Sequence, residues 1–135
     1  MLLLYLTASI FIAQGLGHSL GFLAGWTSLS GGFNDRPWLF SSGVRFTGWA
    51  GRLFGLLWLV AGLAFLAAGF GLIFEVAGWP SYALVGASLS LVAILPWWRT
   101  VTSGPRHLAA LVDLLVLVGL AFPWGSLLSA ALLGV

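Results

Sequence analysis

The sequence predicts an all-α polytopic membrane protein, an antiparallel four-transmembrane-helix bundle with an interfacial first loop. Three observations carry that expectation. Of 135 residues, 61% are hydrophobic and only 6% charged, too little polar surface to coat a water-soluble globule of this size. Four stretches meet the roughly 20 mostly apolar residues that a spanning helix needs. All five basic residues fall in two of the connections, on one predicted side. There is no charge run, low-complexity tract or Pro/Ser-rich linker, so residues 1–135 read as a single transmembrane domain.

The first segment, 2–25, opens MLLLYLTASIFIA and runs on as QGLGHSLGFLAGW. It lacks a basic leader and is longer than a signal-peptide core, so it is expected to be a retained helix. The second, 53–74, follows Arg52 and ends before the pair Trp79 and Pro80. The third, 81–98, ends in Pro96, Trp97 and Trp98; the fourth, 108–122, starts after Gly104 and Pro105. An extension of the fourth past Pro123 to Leu133 is left open by the sequence.

Arg distribution sets the expected topology. Arg36, Arg45 and Arg52 follow the first helix, Arg99 and Arg106 follow the third with His107 beside them, and the other side has no Arg or Lys. Short basic loops stay cytoplasmic, which puts both termini outside and these groups at the inner face, in contact with headgroups or a partner. Trp26, Trp38, Trp49, Trp97 and Trp98 collect at the same interface, leaving Trp58 within a span. In the interfacial loop 26–52, Phe33, Trp38, Leu39, Phe40, Phe46 and Trp49 alternate with Asp35 and Arg. That pattern suits a segment lying in the headgroup layer, or else a lid over the inner mouth or a docking surface.

Small residues predict close helix contacts. Gly17, Gly21 and Gly25 recur every fourth residue of helix one, and Gly51 and Gly55 do so in helix two. Gly48, Gly55, Gly62 and Gly69 recur every seventh residue, a glycine-zipper-like seam along helix two.

On a wheel of about 100° per residue centred on Gln14, the residues Thr7, His18, Gly21, Gly25 and Ser28 lie within about 40°. This stripe must face protein, because lipid has no partners for polar atoms. Asp113 lies within the fourth helix, where a carboxylate costs of order 3 kcal/mol unless it is paired, solvated or protonated. His18 and Asp113 each stand about 10 Å above the inner interface, so Asp113 is expected to accept a ring N–H of His18 if helices one and four are neighbours. Gln14 then lies one turn deeper. Two readings of Gln14, His18 and Asp113 stay open. They can be interhelical glue, bonded to one another or to Ser88, Ser90 and backbone. They can also line a pocket for a polar headgroup or a proton.

Other chemistry is excluded or unsupported. With no Cys, disulfides, thiolate catalysis and Cys-held metals are absent, which removes the quinone-linked thiol oxidoreductases of similar build. A haem between His18 and His107 is disfavoured by about 9 Å of depth between them, and no metal site is expected. No phosphate-binding loop, Ser/His/Asp set or catalytic carboxylate pair is present. The pI near 10.0 rests on so few charges that it implies no nucleic-acid partner.

The strings GLGHSLGF, residues 15–22, and RLFGLLWLVAGLAF, residues 52–65, resemble a group of small bacterial four-helix membrane proteins with a Gly-His first helix and an Arg-led second. The architecture is also similar to that of DoxX-like proteins in helix number and length. The resemblance implies a bacterial inner-membrane protein in which His18 and Arg52 match the group's pattern, and it carries no activity with it. The expected role is a non-catalytic accessory or scaffold subunit bound to other membrane chains and to lipids. The alternatives are a lipid-, quinone- or proton-handling protein using the Gln14/His18/Asp113 cluster, with bound lipid or quinone as its ligand, and a homo-oligomeric transporter.

Overall fold

The computed structural model describes residues 1–134. Its regular structure is helical: α1 (Leu2–Trp26), α2 (Trp49–Ile73), α3 (Trp79–Ile94), α4 (Ser103–Ala121) and α5 (Gly125–Leu133). α1, α2 and α4 are each long and apolar enough to cross a membrane, whereas α3 has 16 residues. Pro80 sits in the first turn of α3, where a missing N–H leaves no bond unmade. Pro96 interrupts the far end, and residues 95–100 continue as turns, with Trp97 N–H donating to Ile94 O at 3.1 Å and Thr100 N–H to Trp97 O at 2.8 Å.

Several boundaries depart from the expected 53–74, 81–98 and 108–122: α3 ends at Ile94, α4 begins at Ser103, and the extension to Leu133 that the sequence leaves open is not made. α2 starts at Trp49 instead of residue 53, with Gly48 as its N-cap, so Gly48 lies outside the helical seam assigned to it. α4 ends at Ala121 and does not run on to Leu133. Phe122, held extended before Pro123 (φ −95°, ψ 166°), stops it. The following residues form α5, which folds back: Trp124 Nε1 donates to Val118 O at 3.0 Å, and Leu132 packs on the cluster containing Leu4, Ala8 and Phe11.

Helices pack in chain order, α1 on α2, α2 on α3 and α3 on α4, and α5 touches both α4 and α1. The α1/α2 contact is the closest in backbone terms. A Cβ at Gly62 would stand 2.8 Å from Gly15 O, one at Gly69 3.0 Å from Ala8 O, and one at Gly25 2.6 Å from Gly51 O. Descending numbers on α1 meet ascending ones on α2, so the pair is antiparallel. Gly55, with Gly21 O at 3.3 Å from its would-be Cβ, belongs to the same seam. Gly17 does not, since nothing lies within 4 Å of it. One step around the helix from Gly21 and Gly25, it faces away from α2.

The buried apolar side chains form two clusters. One, nearer α5, includes Phe11, Phe65, Leu72 and Trp79; the other, at the Arg-bearing end, includes Phe46, Trp58, Ile94 and Trp97. The first loop contributes to the second cluster. Asn34 N–H donates to Thr100 O at 2.8 Å, Thr102 N–H to Gly32 O at 3.1 Å, and Phe46 stands edge-on to Trp97 at 4.9 Å. The loop thus covers this end of the bundle with Phe33, Trp38 and Phe46, while Leu39, Phe40 and Trp49 stay exposed.

Gly62→Val forces a branched side chain against the Gly15 carbonyl and is expected to destabilise by about 1–3 kcal/mol, the usual range for overpacking. Thermal unfolding in detergent checks this. Gly17→Ala, free of neighbours, is expected to leave the melting temperature unchanged or higher.

Candidate functional site

Between the two apolar clusters lies one polar layer. His18 on α1, Ser90 on α3 and Asp113 on α4 are all buried. His18 Nε2 is 2.6 Å from Ser90 Oγ, which is 2.5 Å from Asp113 Oδ2. Gln14 Nε2 donates to Asp113 Oδ1 at 3.3 Å and to Ala109 O at 3.2 Å. The expected direct His18–Asp113 bond is therefore replaced by a bridge through Ser90. The physical reason is the packing order. α1 rests on α2 and α4 on α3, so α1 and α4 face each other across a gap that only the longer Gln14 side chain spans.

Donor and acceptor counting narrows the chemistry of the layer. His18 Nδ1 lies 2.7 Å from the backbone carbonyl of Gln14, which only accepts, so Nδ1 carries a hydrogen. Two arrangements then satisfy every polar atom of His18, Ser90 and Asp113. In one, Nε2–H donates to Ser90 and Ser90 O–H donates to an Asp113 carboxylate, giving an imidazolium and a carboxylate bridged by a hydroxyl. In the other, a protonated Asp113 donates to Ser90, which donates to Nε2 of a neutral ring. Both have the same total charge and differ by two proton shifts along one chain. Neither ring nitrogen is free, so His18 can reach an outside molecule only by giving up one of these bonds.

Gln14 is different. Both partners of its Nε2 are acceptors, which fixes the amide orientation, and among the described residues no donor reaches its Oε1. Gln14 lines a cleft of about 430 Å³ between α1 and α4, within the roughly 300–1,000 Å³ of small-molecule sites. Ile10, Ala13, Gly17 and Leu20 form one wall and Leu108, Ala109 and Val112 the other; His18, Trp58 and Ile94 form the floor. Arg106, Thr102 and the turn Gly31–Gly32 close the Arg-bearing end. A second hollow of about 330 Å³ continues toward α5, sharing Ile10 and Val112, with Thr7 its one polar side chain.

The remaining basic residues do not converge on the cluster. Arg45 pairs with Asp35 at 3.5 Å, Arg52 lies over Trp26 at 6.0 Å, and Arg36 and Arg99 are exposed and engaged through backbone alone, their carbonyls accepting from Thr100 Oγ1 and Asn34 Nδ2 and Arg36 N–H donating to Asn34 Oδ1. His107 is exposed, with Nδ1 donating to Ser103 O at 2.5 Å. Arg106 alone reaches the cleft. Its Nη1 donates to Trp98 O at 2.6 Å and Val101 O at 3.3 Å, and its plane lies over Trp98. Ser88, weighed beside Ser90 as a partner for the cluster, is exposed and takes no part.

Comparison with protein-family models, curated proteins and solved structures found no match to the chain.

Asn at position 113 can accept from Gln14 and donate to Ser90, which freezes the arrangement with a neutral His18. Asp113→Asn is thus expected to melt within about 1 kcal/mol of the parent, whereas Ser90→Ala, which orphans Asp113 Oδ2 and His18 Nε2, loses about 1–3 kcal/mol. Equal losses in thermal unfolding would contradict the bridge.

Proposed function

We propose that this chain is a four-span bacterial inner-membrane protein that acts without catalysis, holding an amphipathic molecule of the lipid or quinone class in the cleft between α1 and α4. One observation carries the reading. An apolar hollow open to the side of the bundle has at its middle a hydrogen-bonding atom, Gln14 Oε1, that no protein group satisfies. Lipid-phase ligands need both elements. In this reading α3, extended by the turns after it, is the fourth span, the Arg loops face the cytoplasm, both termini lie outside, and Phe40 and Trp49 sit in the headgroup layer.

A second reading, the accessory or scaffold subunit, has its own observation. Ala13 and Gly17 stand four residues apart on the exposed wall of the cleft, a pair of small residues on which a helix of another chain packs closely. A transport path has no comparable support, since the α5 half of the seam is apolar apart from Thr7.

Native purification followed by mass spectrometry of co-purifying lipids, quinones and proteins separates the two. Gly17 lines the cleft and a Cβ there would have nothing within 4 Å, so Gly17→Phe projects its ring into the cleft. The ligand reading expects loss of the co-purifying amphiphile at unchanged melting temperature; loss of a protein partner with the amphiphile retained favours the scaffold. Topology is tested independently. Because the chain has no Cys, single Cys residues placed at Ser41 and Ser81 are unique reporters. Ser41→Cys is expected to label only after permeabilisation and Ser81→Cys from outside intact cells.

A further inference from the structure

We infer that the cleft recognises a single-chain phospholipid of the inner leaflet at two points, its phosphate at Arg106 and a free glycerol hydroxyl at Gln14 Oε1. The inference rests on the ligand-holding reading above and adds the chemistry of the occupant.

Arg106 is the cation of the cleft. Its protein partners are neutral carbonyls, both taken by Nη1, and the Trp98 ring, which leaves Nη2 without an acceptor among the described residues. Among the described residues the one ion pair is Arg45 with Asp35, so no carboxylate neutralises Arg106. The first turn of α4, with the unbonded N–H groups of a helix start, adds positive potential at the same end. A guanidinium lining an otherwise apolar cavity calls for an anion, and phosphate suits its donor geometry.

Gln14 selects the second group by sign. An acceptor without a donor is satisfied by a hydroxyl and not by a ketone, ester or quinone carbonyl, which would place two acceptors together. Spacing joins the two points. Both side chains line the same cleft, and Gln14 is bonded to the carbonyl of Ala109, one turn along α4 from Arg106, which puts the two groups in adjoining parts of one cavity. Beyond Gln14 the walls are apolar, and a second hollow toward α5 adjoins the cleft at Ile10 and Val112, which sets the direction for one acyl chain.

The test is lipid binding to the full chain in detergent, read by native mass spectrometry. The probes are a lysophosphatidic acid, the methyl ether of its glycerol hydroxyl, and the monoacylglycerol of the same chain. The expected result is binding of the first, with either change weakening it by about tenfold or more. Arg106→Gln is expected to abolish the preference for phosphate while keeping the preference for the hydroxyl, with the helical content by circular dichroism unchanged and the melting temperature lowered by the loss of its bonds to Trp98 O and Val101 O. Equal binding of all three, lost in Gly17→Phe, overturns the two-point recognition and leaves the ligand-holding reading standing; no binding of any probe overturns both. Displacement of the lysolipid by inorganic phosphate alone overturns the lipid source.

Discussion

The backbone contact between α1 and α2 is the constraint on which the other features depend. Glycine at Gly15, Gly25, Gly62 and Gly69 lets carbonyls and Cα atoms of the two helices meet with no side chain between them. In a hydrocarbon solvent, where apolar burial gives helices little reason to associate, dense dispersion and weak C–H hydrogen bonds of this kind hold a pair together. With α1 seated on α2, and α4 seated on α3, the side of α1 turned toward α4 is left open and becomes the cleft.

The polar layer is the second consequence. With α1 displaced from α4, a His18–Asp113 bond is out of reach, and Ser90 on the intervening α3 connects them. A hydroxyl suits that position because it donates and accepts at once, so it relays a hydrogen bond between an imidazole and a carboxyl whichever holds the proton. The layer separates two apolar clusters and leaves its inner members fully bonded, which favours a rigid junction over a site of proton exchange with a ligand. Reactivity toward an outside molecule is left to Gln14.

The sequence made the helical class, three helices long and apolar enough to cross a membrane, and the Gln14/His18/Asp113 association legible, for physical reasons. Hydropathy reports length of apolar chain directly, and polar residues inside such chain must find one another. The sequence offers Ser88 and Ser90 alike as partners of the cluster; that Ser90 alone bridges His18 to Asp113 is not legible, because a serine in a membrane helix can also satisfy itself on its own backbone. Gly15 escaped for a related reason. Its seven-residue partner on α1 is Ala8, so the series reads as glycine only on α2. The stop at Ala121 was half visible in Pro123, but hydropathy continues through it to Leu133, and only the extended conformation of Phe122 shows that the chain turns back. The loop was read mainly as interfacial because its aromatics suit headgroups; Phe33 and Phe46 stack at 4.6 Å and turn inward over Trp58, which composition alone does not reveal.

The seam between α1 and α4 is closed differently at its two ends. Toward α5 it is bridged by packed side chains such as Leu128 and Leu132, whereas near its middle the two hydrogen bonds from Gln14 Nε2 are the clasp. Breaking such bonds costs about 1 kcal/mol each, far less than separating α1 from α2. The Arg-bearing end is tied by Asn34 N–H to Thr100 O and Thr102 N–H to Gly32 O, so between two fixed ends one amide is the hydrogen-bonded tie across the mouth of the cleft, and turning that single side chain would widen the mouth without moving a helix.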